Sequence, residues 1–327
     1  MEGRLLKALI IGAAGFVGGY LIRELKTAGW EVHATCLPIE RINEECFTHT
    51  LDILKKDDIT PLLDEISPDV IYHLAAQSSV SVSWKKPQLT AEINIIGTIN
   101  VLESVREAQK KDIRVLLIGS GEEYGYIRKD ACPLPESEPL NPGNIYAATK
   151  ACQGMIGEIY ARAYKMDIIM VRAFNHSGPE QSNIFVISDF CRQIAEIEKG
   201  LREPVMNVGN LAAMRDFTDV RDVVKAYKLL GEKGVSGSVY NVGRGKAVSI
   251  QFILDTALSF AKRPVEVRQD PARMRASDIP IIEPDVSHIN ADTGWKAQIT
   301  MEQTVEDTLN YWRKKLMSYG TSLGTER

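Results

Sequence analysis

Tyr146-Ala-Ala-Thr-Lys150 sets a phenol and an ammonium four residues apart. On a helix that spacing puts both groups on one face, one turn apart. A free phenol ionises near pH 10, which makes it a poor proton shuttle at neutral pH. A cation at about 4 Å is worth on the order of 4 kcal/mol at an effective dielectric of 20, or roughly three pKa units. The pair is therefore expected to bring the phenol close to neutral pH, where acid-base catalysis works best. Spacing alone proves little, because Tyr311 and Lys315 share it. Context separates the two pairs. Tyr146 opens a helical pattern after a loop that holds Asn141, Pro142 and Asn144, and Ser120 ends an apolar run upstream. A serine hydroxyl at a strand end can bond the oxygen that the phenol protonates. Tyr311 and Lys315 lie in a C-terminal amphipathic pattern and read as a solvated face.

A second constellation precedes it. Gly12-Ala-Ala-Gly15-Phe16-Val17-Gly18 follows a first aliphatic run and opens a helical one. Glycines there permit a tight turn and a close approach of main chain to a pyrophosphate, which gains the N–H groups and positive end of the helix. Dinucleotide binding is the expected use. An acidic residue ending the second strand would bond the adenosine ribose of NAD. That place, Thr35-Cys36-Leu37, has no carboxylate, and Arg41 is the nearest candidate to meet a 2′-phosphate. The cofactor is left as NADP or NAD. Asp52-Ile53 is placed to cover the adenine, and Leu74-Ala75-Ala76 offers small residues on which a flat cofactor can lie. Each of these fits ordinary strand-end packing equally well.

These groups need a scaffold. Strands are expected at 6–11, 31–35, 48–52, 70–74, 115–119 and 167–172, alternating with helices at 16–28, 59–66, 88–110 and 146–164. Continuous apolar strands alternating with helices mean a parallel sheet covered on both faces, the α/β doubly wound (Rossmann) architecture, whose ligands sit beyond the carboxyl ends of the strands. After Arg172 the rhythm weakens. Helices are expected at 185–199, 222–230, 250–261 and 301–315, with short strands at 205–208 and 239–242, and a smaller C-terminal α/β unit is expected among them. The expected division is a nucleotide-binding domain at 1–172, with 210–243 returning to it, and a substrate domain at 173–209 and 244–327.

Composition narrows the function. With 44% apolar and 25% charged residues the 327-residue chain is ordinary for a globular protein. A net charge of −4 gives no footprint for nucleic acid. Five cysteines, an odd count with no C-x-x-C, argue against a disulfide framework or a metal site and for a reducing cytoplasm. The apolar stretch 5–22 is interrupted by four glycines and reads as a strand and phosphate loop rather than a signal peptide or membrane span.

Together, the glycine loop, Ser120 and the Tyr146/Lys150 pair resemble the short-chain dehydrogenase/reductase family, and the chain length with the G-x-x-G-x-x-G form points to its extended branch. The resemblance implies Ser120 as the carbonyl-binding hydroxyl, Tyr146 as acid or base, and Lys150 as holder of the nicotinamide ribose and tuner of Tyr146. Further segments resemble enzymes that modify nucleotide sugars: His73-Leu-Ala-Ala-Gln-Ser-Ser-Val80, Asn94-Ile-Ile-Gly-Thr98, Glu122-Glu-Tyr-Gly125, Arg172-Ala-Phe-Asn-His-Ser-Gly-Pro179, Arg215-Asp-Phe-Thr-Asp-Val-Arg-Asp222 and Arg275-Ala-Ser-Asp278. By that resemblance Asn94 joins the cofactor contacts, Asn175, Arg215 and Arg275 hold a substrate diphosphate, and Ser79, Val186 and Glu122 line the substrate. Bidentate guanidinium–phosphate pairing gives the arginines a physical sense. Arg-x-Ser-Asp before Ile-Pro is similar to the GDP-sugar branch and gives Asp278 the nucleoside.

The combination most closely resembles the reductases of GDP-4-keto-6-deoxy-D-mannose, and implies reduction of a C4 ketone to GDP-D-rhamnose. A GDP-mannose 4,6-dehydratase is the alternative, with Glu122 where its base stands, and a nucleotide-sugar 4-epimerase is third. Gly121 and an arginine-poor segment 35–43 count against the dehydratase. The patterns 93–105 and 155–164 suit the helix pairing by which this family forms dimers.

Overall fold

The computed structural model describes residues 5–128, 130–273 and 281–321. The chain divides into two compact units. The first comprises the chain up to Phe174 with Val223–Val242 and Pro284–Lys296. The second comprises Asn175–Asp222, Gly243–Glu283 and the chain from Ala297.

The first unit is built on seven parallel strands. In chain order the first six are β1 (Lys7–Ile11), β2 (Glu31–Cys36), β3 (Phe47–Thr50), β4 (Val70–His73), β5 (Arg114–Ile118) and β6 (Ile168–Ala173), and the seventh is Val239–Val242. Across the sheet the order runs Val239–Val242, β6, β5, β4, β1, β2, β3. The expected doubly wound parallel sheet is therefore present. Strand order reverses between β1 and β4, and a crevice opens at such a switch point beyond the carboxyl ends. Every residue of β4 and β6 is buried, as continuous apolar runs covered on both faces must be.

The helices of this unit are α1 (Phe16–Thr27), α2 (Lys56–Ile66), α3 (Val80–Lys85), α4 (Pro87–Ala91), α5 (Gly97–Glu107) and α6 (Ile145–Tyr164), with Val220–Lys233 reaching into it. The single helix expected over 88–110 is instead α4 and α5 joined by a π turn at Glu92–Ile96. The wider turn buries Asn94 completely. Periodicity cannot show it, because a one-turn π bulge shifts the apolar stripe by only one residue. The core joins Leu9 and Ile11 of β1, Leu63 of α2, Val101 of α5, Leu117 of β5 and Met170 of β6.

The second unit has its own core, in which Phe190, Ile194, Phe217, Leu254, Val305 and Trp312 meet. Its strand Met214–Asp219 pairs with Asn175–Ser177, Ala247–Ser249 and Ile281–Ile282. This pairing holds 214–219 in the second unit, so the chain rejoins the first only at Val223, later than the 210 expected. The charged sequence of Met214–Asp219 hid the strand, since its burial comes from three partners remote in the chain. Tyr311 departs from its expected solvated role. It packs on the second core, and Lys315 donates to its hydroxyl at 3.1 Å. No helix among the described residues is long and apolar enough to cross a membrane.

Candidate active site

The glycine loop joins β1 to α1 at the switch point. Gly12 has φ +84°, and a Cβ there would lie 2.6 Å from the main chain of Ala75. Leu74 and Ala75 both donate their N–H to Ile11 O, at 2.9 and 2.8 Å, which draws the end of β4 beneath the loop. A Cβ at Gly18 would lie 2.1 Å from Ala13 O, so α1 seats closely on the loop only with glycine there. Gly15 differs, since a Cβ on it would meet nothing nearer than Gly12 O at 4.0 Å. Among the described residues no packing asks for that glycine, and its bareness leaves the mouth of the loop open. Neither a capping side chain nor an acidic residue occupies the first turn of α1. A pyrophosphate is the group this terminus accepts, and Gly12, Gly15, Phe16, Val17 and Gly18 are the residues that would hold it.

Thr35 ties the end of β2 to this loop, its hydroxyl accepting from Gly12 N at 3.2 Å and its carbonyl from Ala13 N at 2.8 Å. Cys36 is buried and Arg41 exposed. The carboxylate absent from Thr35-Cys36-Leu37 is brought by folding, as Glu40 Oε2 accepts from Leu37 N at 2.9 Å. Two of the expected cofactor residues also make contacts within the protein. Ile53 points into the core against Gly97, leaving Asp52 alone at the end of β3, where Oδ1 accepts from Leu54 N at 3.0 Å. Asn94 donates its amide to Thr149 Oγ1 and Gln77 O, at 2.9 and 3.1 Å, and accepts from Gln77 N at 2.8 Å. Its side chain clamps the loop after β4 to α6.

Ser120 lies just beyond β5 and caps the short turn Gly121–Tyr124, its hydroxyl accepting from Glu122 N at 3.2 Å. Asn144 caps α6, its Oδ1 accepting from Ala147 N at 2.9 Å, so Tyr146 and Lys150 project from the first turns of a helix 20 residues long. Ser120, Tyr146 and Lys150 are all buried. Ser120 lies close enough to the Tyr146 phenol to favour its ionised form. Glu122 joins them half-buried, with Oε2 accepting from Asn144 Nδ2 at 3.2 Å. These four expected catalytic residues come together beyond the sheet's carboxyl edge.

The electrostatics run opposite to the expected phenol near neutral pH. Tyr146 is pushed up to about 12, chiefly by burial, which Ser120 partly offsets, with smaller raising by Glu123 and Glu122. Lys150 is pushed down to about 8 by burial, which Glu123 partly offsets. The ammonium donates to Ile118 O at 2.7 Å and Gln153 Oε1 at 2.9 Å. Desolvating both members costs each its charged form, and a Coulomb estimate on spacing alone omits that.

Ser79 caps α3, accepting from Val82 N at 3.3 Å, and stays half-exposed. Within the second unit, Asn175 lies opposite Phe217 on the neighbouring strand, two residues from Arg215. Val186 begins the helix Val186–Glu198 and packs against that unit's core. Arg275 and Asp278 lie outside the described residues. Among the described residues no group of three or more His, Cys, Asp or Glu could hold a metal ion.

Sequence reasoning missed four residues at this site: Glu123, Asn144, Gln153 and Arg172. Two had signals. Ser120-x-x-Glu123 is a capping-box pattern, and Arg172 interrupts an otherwise apolar strand.

A sequence model of the family described as GDP-mannose 4,6 dehydratase matches residues 9–308. The chain is 32% identical over 312 residues to the GDP-6-deoxy-D-mannose reductase of Pseudomonas aeruginosa, covering 95% of this chain and 98% of that one. It is 28% identical over 342 residues to a GDP-mannose 4,6-dehydratase of Vibrio cholerae, covering 91% of each. Among solved structures it is similar to RMD from Pseudomonas aeruginosa complexed with NADPH, with a TM-score of 0.86 and 31% identity over 95% of this chain and 99% of that one.

Proposed function

The chain belongs to the GDP-mannose 4,6 dehydratase family of extended short-chain dehydrogenase/reductases, and from that premise we propose that it reduces the C4 ketone of GDP-4-keto-6-deoxy-D-mannose to GDP-D-rhamnose, with NADPH or NADH. One observation carries the choice of reduction. Burial pushes the Tyr146 phenol up to about 12, so it holds its proton at neutral pH. Such a group suits an acid that gives a proton to an oxygen becoming an alkoxide, and not a base that must first be ionised. Full-length similarity to the Pseudomonas aeruginosa reductase supports the same reading.

Bound NADPH or NADH supplies the hydride for C4. Ser120 donates a hydrogen bond to the C4 oxygen and holds it against the phenol. Tyr146 passes its proton to that oxygen as negative charge develops there, and the phenolate regains a proton from solvent. The Lys150 ammonium favours the phenolate while it lasts and holds the nicotinamide ribose. Asn175, Arg215 and Arg275 hold the substrate diphosphate, with Asp278 at the nucleoside and Ser79 and Val186 beside the substrate.

Glu122 favours a second reading. A half-buried carboxylate beside Tyr146 could remove the C5 proton in a 4,6-dehydratase. The discriminating experiment supplies GDP-4-keto-6-deoxy-D-mannose with each reduced cofactor and identifies the product by NMR. Cofactor oxidation that yields a GDP-6-deoxyhexose with a C4 hydroxyl is the expected result. Conversion of GDP-mannose to the 4-keto sugar without net cofactor use would instead establish the dehydratase.

The enzyme acts as a cytoplasmic homodimer in this reading. Ile96 beside α5, with Met155, Ile159 and Tyr164 along α6, leaves large apolar side chains half or more exposed on helices of one unit, and a second copy is the partner that would cover them. The odd cysteine count without C-x-x-C suits a reducing compartment.

A further inference from the structure

Glu123 is a carboxylate almost wholly enclosed in the protein, at 2% exposure, and the reaction above does not use it. Its Oε1 accepts the main-chain N–H of Ser120 at 2.7 Å, and its Oε2 faces Arg172 Nε at 3.3 Å. Gly119 makes room for it, since a Cβ there would lie 2.2 Å from Glu123 Oε1. Arg172 is held in turn by Tyr124 Oη at 3.0 Å and Glu136 O at 2.8 Å. The carboxylate thus sits directly behind Ser120, and Lys150 donates to Ile118 O two residues before that serine. Helix α6 passes on the same side, where a Cβ on Gly154 would lie 3.8 Å from Oε2, and Gln153 and Glu158 line the adjoining pocket.

We propose that Glu123 is a positioning residue for the reaction inferred above: one carboxylate oxygen fixes the main chain of Ser120, and the whole group is the buried negative charge against which Lys150 keeps its ammonium. The charged and titratable groups around it are few. Arg172 faces it from β6 and Lys150 and Glu158 from α6. Tyr146 and Glu122 lie beside it, His73 of β4 faces Lys150, and Tyr227 of the helix Val220–Lys233 faces Tyr146. Among those acting on Lys150, Glu123 is the one that favours its charge. Burial pushes the Glu123 carboxyl up, and the Ser120 N–H, Arg172 and Lys150 favour its charge in return. A buried carboxylate excluded from the reacting atoms is costly to keep charged, and an effect on its charged neighbour gives it a use.

The placement rests on the proposed reaction, and its test has one readout that does not. In protein labelled with 13C-lysine, the Lys150 signal, assigned by its loss in Lys150→Arg, is titrated by NMR alongside kcat against pH. Glu123→Gln keeps an acceptor for Ser120 N–H and removes the charge. The expected result is a Lys150 midpoint lower by about one pH unit, the size a facing carboxylate typically exerts. The basic limb of kcat should move with it, while KM for the sugar stays within about twofold. Glu123→Asp should keep the wild-type midpoint. Should the single variant fold poorly beside an unpaired Arg172, the double variant Glu123→Gln/Arg172→Gln carries the same comparison. An unmoved midpoint in a folded variant, or a rate loss equal at every pH, overturns the proposal even if the wild type reduces the ketone. A moved midpoint in an enzyme that does not reduce the ketone leaves the placement intact and removes the reaction.

Discussion

Asn144 and Glu122 are joined side chain to side chain at 3.2 Å, and the same asparagine caps the helix that carries Tyr146. One residue thus sets both where the catalytic helix begins and where the half-buried carboxylate points. Two substitutions separate those roles. Asn144→Ala removes the cap and should cost about 1 kcal/mol, read as a lower Tm. Asn144→Asp keeps a capping oxygen but loses the amide donor and sets a second carboxylate against Glu122. It should hold Tm better than the alanine variant and still lose turnover. Equal turnover in Asn144→Asp and wild type would show that the tie to Glu122 has no part in the reaction.

Tyr146→Phe removes the proton donor and little else. The expected loss is about 10²–10⁴ in kcat with KM for the sugar little changed, the pattern of an interaction made in the transition state. Steady-state kinetics on the purified 4-keto substrate decide it. Turnover within a few-fold of wild type would remove Tyr146 from its role.

The pH profile follows from the lysine. Lys150 is lowered to about 8 by burial, so its ammonium is present below that pH and lost above it. Tyr146, pushed up to about 12, stays protonated across the same range. Activity should therefore fall as pH rises through about 8, as one ionisation, and Lys150→Met should abolish that limb along with most of the rate. A profile flat to pH 10 in the wild type would mean that the ammonium is not needed.

The glycines of the loop are not equivalent. Gly18→Ala drives a Cβ to 2.1 Å from the main chain of Ala13, which has nowhere to go. Binding of NADPH, followed by its fluorescence, should be lost and Tm lowered. At Gly19 the Cβ would meet the end of the flexible Glu44 side chain at 2.7 Å, and alanine there should leave binding nearly intact. Equal effects at the two positions would contradict the close seating of α1 on the loop.

Much of the first unit was legible in the chain. Buried parallel strands read as unbroken apolar runs, and Lys7–Ile11, Val70–His73 and Arg114–Ile118 fall within a residue or two of their expected places. The candidate motifs were equally plain, because Gly12, Gly18, Ser120, Tyr146 and Lys150 are read from residue type and local spacing. These features are local, and local spacing is what a sequence records.

What the sequence left open depended on neighbours distant along the chain. Ile53 and Asn94 read as cofactor contacts, and the sequence did not show that the Ile53 side chain packs in the core or that Asn94 bonds Gln77 and Thr149. The phenol expected near neutrality is pushed up to about 12, because burial removes the water that stabilises its charge. Glu123 is one of two adjacent acids in the sequence. Only β6, arriving with Arg172 some fifty residues later, makes it the ion behind Ser120. Motif and strand follow from the order of residues; desolvation and partnership follow from which surfaces meet, and those are set when the sheet closes.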